Sequence, residues 1–67
     1  MDITLNNQNI SIADNETLES ILKSNQLLDK KGIAVAINSS VIPKNKWNET
    51  KLNNNDKIMV ITATAGG

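Results

Sequence analysis

One stretch of this chain carries helical periodicity, and the runs on either side of it alternate. Leu18, Ile21 and Leu22 fall at i, i+3 and i+4 and form one apolar stripe. Thr17 precedes them as a good N-cap, and Glu19 falls in the first turn, where the helix dipole favours negative charge. The spacing predicts one amphipathic helix of about three turns, running out near 24–27 with Leu28 packing at its end. A lone striped helix has to bury its stripe against another layer. The rest of the chain therefore has to supply a sheet.

The alternating runs supply it. Ile3 and Leu5 alternate with polar neighbours, Asn6-Asn7-Gln8 offers turn residues, and Asn9-Ile10-Ser11-Ile12 alternates again, which reads as a β-hairpin. After the helix, Gly32 closes a charged connection, and Ile33-Ala34-Val35-Ala36-Ile37 is apolar on both faces, as in a central strand. Asn38-Ser39-Ser40 turns the chain into a short return strand, Val41-Ile42. Pro43 ends it, because proline cannot donate to the ladder. Residues 44–47 read as a helical turn that brings Trp47 over the core edge in a packing role. Asn53-Asn54-Asn55-Asp56 is a further turn before a last strand over 57–63. This order predicts an α+β, β-grasp (ubiquitin-like) fold: a small mixed sheet of four to five strands packed on one main helix. It also predicts one domain over 1–67, with a flexible C-terminal tail at 63–67.

Composition removes most chemistry. There is no cysteine and no histidine, which excludes thiolate nucleophiles, disulfides and the commonest general base and metal ligand. Asp14, Glu16 and Glu19 lack the spacing and glycine of a calcium loop and read as a solvated helix start, so no metal site is expected. Seven lysines balance seven carboxylates, without arginine, and Trp47 is the only aromatic residue. Neither a basic stripe nor a stacking platform is available for nucleic acid. No apolar run approaches the roughly 20 residues of a membrane span, and Met1-Asp2-Ile3-Thr4-Leu5 does not read as a signal peptide. The expectation is a soluble cytoplasmic protein that is not an enzyme.

What composition leaves is the end of the chain, Thr62-Ala63-Thr64-Ala65-Gly66-Gly67. A terminal Gly-Gly arises by chance in only roughly 0.5% of chains at ordinary glycine usage. Its α-carboxylate is ionised at neutral pH and a poor electrophile. A chain without base or metal needs another protein to activate it. Small side chains and two residues without Cβ let the backbone pass close to enzyme walls, and six extended residues reach roughly 20 Å.

Ala34-Val35-Ala36-Ile37-Asn38, then Val41-Ile42-Pro43 and Trp47, then Asp56-Lys57-Ile58 and Gly66-Gly67 together resemble the ThiS family, the ubiquitin-like sulfur carriers of thiamine (thiazole) biosynthesis. Lys44 stands where that family often has a basic residue, commonly arginine, and Asn54-Asn55-Asp56 stands where Asp-Gly-Asp is common. The resemblance implies that the Gly67 carboxylate is adenylated by a partner related to ubiquitin-activating enzymes, which uses ATP and Mg²⁺, so that this chain binds no cofactor itself. It further implies conversion to a thiocarboxylate with sulfur from a cysteine desulfurase, and delivery to thiazole synthase. Gly66 and Ala65 would then be the tail positions needed for access to the partner's active site.

The last strand is apolar on both faces, whereas one helix covers one face. Ile58 and Val60 are therefore expected in the core, with Met59 and Ile61 in a partner-binding patch beside the tail. Ala63 and Lys44 join them as candidate partner contacts. Two other readings stay open: a carrier like the small subunit of molybdopterin synthase, and a β-grasp interaction module that is never activated.

Overall fold

Asn6 (φ 51°) and Asn7 (φ 70°) both occupy the left-handed region, where asparagine is tolerated better than most residues. This lets β1 (Asp2–Leu5) fold back onto β2 (Gln8–Ser11) through a two-residue turn, with Leu5 opposite Gln8. Asn38 (φ 50°) and Ser39 (φ 74°) repeat the device between β3 (Ile33–Ile37) and β4 (Ser40–Ile42). Gln8 and Ser40, expected in the turns, are paired strand residues instead. These features belong to a computed structural model in which residues 1–62 are described.

The helix, α1 (Leu18–Ser24), is seven residues long, about two turns rather than the three expected. Its start is as the sequence suggests. Thr17 Oγ1 accepts from Ser20 N, and Ser20 Oγ accepts from Thr17 N, both at 3.2 Å. The next two orphan donors are met from outside the helix: Leu18 N donates to Thr50 O and Glu19 N to Trp47 O. The early stop has a local cause. Gln26 turns left-handed (φ 57°), Leu27 N donates back to Leu22 O at 2.8 Å, and Gln26 N donates to Lys23 O. That is a Schellman termination, here with glutamine where glycine is usual. Leu27 and Leu28 continue the apolar pattern but leave the helix and pack against the core from the loop.

The sheet order is β2-β1-β5-β3-β4, which places β5 (Lys57–Thr62) at the centre. β5 runs parallel to β1 and antiparallel to β3; the other pairings are antiparallel. One face is covered by α1, whose Leu18, Ile21 and Leu22 pack with Ile3, Leu5, Val35, Ile58, Leu52 and Trp47. Burying each large aliphatic side chain contributes about 1.5–3 kcal/mol. Trp47 follows a single 3₁₀ turn, Lys44–Lys46, and is 3% exposed. Its Nε1 donates to Ile42 O at 2.9 Å, so burial leaves the indole satisfied. No helix among the described residues is long and apolar enough to cross a membrane.

Candidate functional site

β5 is held at its base by a buried carboxylate. Asp56 Oδ1 accepts from Asn38 Nδ2 at 2.9 Å and Asp56 Oδ2 from Asn53 N at 2.8 Å. The same Asn38 side chain accepts from Lys57 N at 3.0 Å through Oδ1, while Asn38 N donates to Lys57 O. The β3–β4 turn is thereby bolted to the first residue of β5. Further along, Asn6 Oδ1 accepts from Val60 N at 2.8 Å. Two turn asparagines thus grip the one strand that leads to the C-terminus.

The helix leaves the other face of the sheet open. Strand alternation turns Ile58 and Val60 to the core side, Ile58 fully buried and Val60 half-buried. Met59 and Ile61 face outward, 41% and 61% exposed. The register sets Ala36 opposite Met59 on one side and opposite Val41 on the other, with Ala34 opposite Ile61. Directly paired residues share a face, so Val41, Ala36 and Met59 form one row across three strands, and Ala34 and Ile61 lie one pleat further on. Val41 is the most exposed of the large apolar side chains, at 72%. The result is an apolar surface with a low alanine floor, directly beside the strand that carries the chain end. A surface of that kind suits docking, because a partner covering it removes apolar area from water without stripping charges.

Val41 was not among the partner contacts expected from the sequence. Val41 and Ile42 are both apolar, and nothing local says which of the two faces the core. Ile42 takes the core side and Val41 is left outside. Lys44 opens the 3₁₀ turn after β4 and is exposed, without an ion pair among the described residues; its neighbour Lys46 pairs with Glu49 at 3.0 Å. Ala63, Ala65, Gly66 and Gly67, and the expected tail as a whole, lie outside the described residues. Among those described, no cavity opens that would take a small molecule, and no three metal-ligating side chains cluster.

A five-stranded mixed sheet in this order, curled over one helix, defines a β-grasp protein of the ubiquitin-like kind. The crystal structure of a thiamine biosynthesis protein (ThiS) from Geobacter metallireducens superposes with a TM-score of 0.85 at 17% identity, covering all of both chains. A solution structure of a thiamine biosynthesis protein from the same organism gives 0.76, also at 17% identity, over all of this chain and 88% of the other. At that identity the two comparisons speak for the fold. The sequence goes further. The pattern of the ThiS family matches residues 2–67, and the Escherichia coli sulfur carrier protein ThiS is 30% identical over 69 aligned positions spanning the whole of both chains. The chain belongs to the ThiS family.

Proposed function

We propose that this protein is a sulfur carrier serving thiazole formation in thiamine biosynthesis, with the Gly67 carboxylate as the group that carries sulfur. The observation that bears most weight is the join between family and geometry. A ThiS-family chain ends in Gly66-Gly67, and the strand leading there is pinned at its base and flanked by an open apolar face. In the proposed reaction a Gly67 carboxylate oxygen attacks the α-phosphorus of Mg²⁺-bound ATP and pyrophosphate leaves. A persulfide from the sulfur-donor system then attacks the acyl carbon and displaces AMP. A thiol reductant cleaves the resulting acyl disulfide and is itself oxidised to a disulfide. The thiocarboxylate so released donates its sulfur to thiazole synthase as the Gly67 carboxylate is regenerated. The activating partner, related to ubiquitin-activating enzymes, supplies ATP, Mg²⁺ and the catalytic groups, and a cysteine desulfurase supplies the sulfur. This chain contributes a docking face and an electrophile in waiting, in the cytoplasm.

Activation by adenylation answers a real barrier, since a carboxylate resists nucleophiles until its oxygen becomes a leaving group. Met59, Ile61 and Val41 are the contacts proposed to hold the carrier while the chain end is processed, with Lys44 and Ala63 as further candidate contacts. The test is intact-mass measurement after incubation with the cognate activating enzyme, Mg²⁺-ATP and a sulfur donor. A mass gain equal to replacement of one oxygen by sulfur is expected; an unchanged mass with no adenylate formed sinks the proposal.

A further inference from the structure

The parallel pairing of β1 with β5 ends at Leu5 opposite Ile58. Asn6 N still donates to Ile58 O at 2.9 Å, after which the chain turns away left-handed toward β2. The next donor on this side of β5 is Val60 N, and β1 has no further backbone carbonyl to offer it. The Asn6 side chain fills the gap, with Oδ1 accepting from Val60 N at 2.8 Å. A side-chain amide has extended the ladder by one rung. Val60 lies between Met59 and Ile61, the two outward-facing residues of β5, so the rung lies within the docking segment rather than at its base. Beyond the β1 pairing, β5 has strand partners on the β3 side alone, ending at Ile33 opposite Thr62.

We propose that Asn6 is a positioning residue for the carrier reaction: its side-chain carbonyl fixes the direction in which β5 delivers the chain end relative to the apolar docking face. The inference rests on the sulfur-carrier reading and deepens it. Small errors in placing a reacting group are costly in rate even when binding is intact. The turn alone does not account for Asn6. Its positive φ is equally open to glycine, and Asn7, also left-handed at φ 70°, satisfies the turn with no side-chain bond to β5.

Three variants of the full chain separate the roles. Asn6→Gly keeps the turn and removes the acceptor, Asn6→Asp keeps both, and Asn7→Gly alters the turn alone. Amide hydrogen exchange at Val60 should rise about tenfold in Asn6→Gly, the equilibrium equivalent of one net hydrogen bond, with Ile58 unchanged. In ATP–pyrophosphate exchange with the cognate activating enzyme, Asn6→Gly should lower kcat about tenfold and leave KM near wild type, because the docking face is intact. Asn6→Asp should restore both readouts, and Asn7→Gly should match wild type. Wild-type kcat in Asn6→Gly, a change confined to KM, or a kcat loss that Asn6→Asp does not rescue overturns the assignment. If wild type itself supports no pyrophosphate exchange, the carrier reading falls, and this positioning role falls with it. Failure of the Asn6→Gly prediction alone leaves the carrier reading standing.

Discussion

Asn38 and Asp56, separated by 18 positions in sequence, meet across the base of the central strand with Asn38 Nδ2 donating to Asp56 Oδ1 at 2.9 Å. Asp56 is 7% exposed and has no cationic partner among the described residues; its second oxygen is occupied by Asn53 N. The carboxylate is held by neutral donors alone. Asp56→Asn turns one of its two acceptors into a donor that faces an N–H, so a donor is left unpaired whichever way the amide is set. The expected cost is about 1–3 kcal/mol, read as a lower urea midpoint with an unchanged m-value.

Trp47 closes the core edge beside the start of α1, where its carbonyl accepts from Glu19 N, and its loss has no substitute in a chain this small. Trp47→Ala should cost about 3–5 kcal/mol, comparable with the whole stability of a domain this size. The variant should be largely unfolded by far-ultraviolet circular dichroism at 25 °C. Trp47→Phe retains part of the packing and strips Ile42 O of its donor, so it should fold with a lower melting temperature.

The open face should behave in the opposite way. Val41→Lys and Ile61→Lys each replace an exposed apolar side chain, so stability should stay within about 0.5 kcal/mol of wild type. Binding to the activating enzyme should weaken about tenfold or more, since each variant brings a charge into an apolar contact. Titration calorimetry beside thermal unfolding reads both quantities; unchanged affinity in both variants would remove this face from the docking account.

Deletion of Gly67 should abolish sulfur transfer and leave the melting temperature nearly unchanged. The described core residues all precede the end of β5. A deleted chain that unfolds would make Gly67 structural.

Gln26 offers a stabilising change. It holds the left-handed position of a Schellman termination, where a side chain bearing Cβ costs roughly 1 kcal/mol relative to glycine. Gln26→Gly should raise the melting temperature by several degrees in a chain of this length, measured by calorimetry.

These cases divide according to how far the determining contact lies from the residue. The alternation at Ile3 and Leu5, the cap at Thr17 and the outward set of Met59 and Ile61 follow from local periodicity and from the fact that one helix covers one face, so they were legible in the sequence. The helix end was not: Leu27 and Leu28 prolong an apolar pattern, and a left-handed glutamine gives no compositional warning. Val41 was missed because two adjacent apolar residues on a short edge strand carry no phase. Asn6 and Asn38 were legible as turn residues, but their second role on β5 depends on contacts 54 and 19 positions away. Sequence periodicity does not encode such contacts.

The central placement of β5 also has a mechanical consequence. The strand that continues into Gly66-Gly67 is flanked by β1 on one side and β3 on the other. Tension applied at the C-terminus runs along the strand axis and loads hydrogen bonds that lie across it, so both ladders resist in shear and share the force. An edge strand would peel away one rung at a time. A partner that pulled on the chain end would therefore tow the whole molecule, and the handle would not unravel under the load.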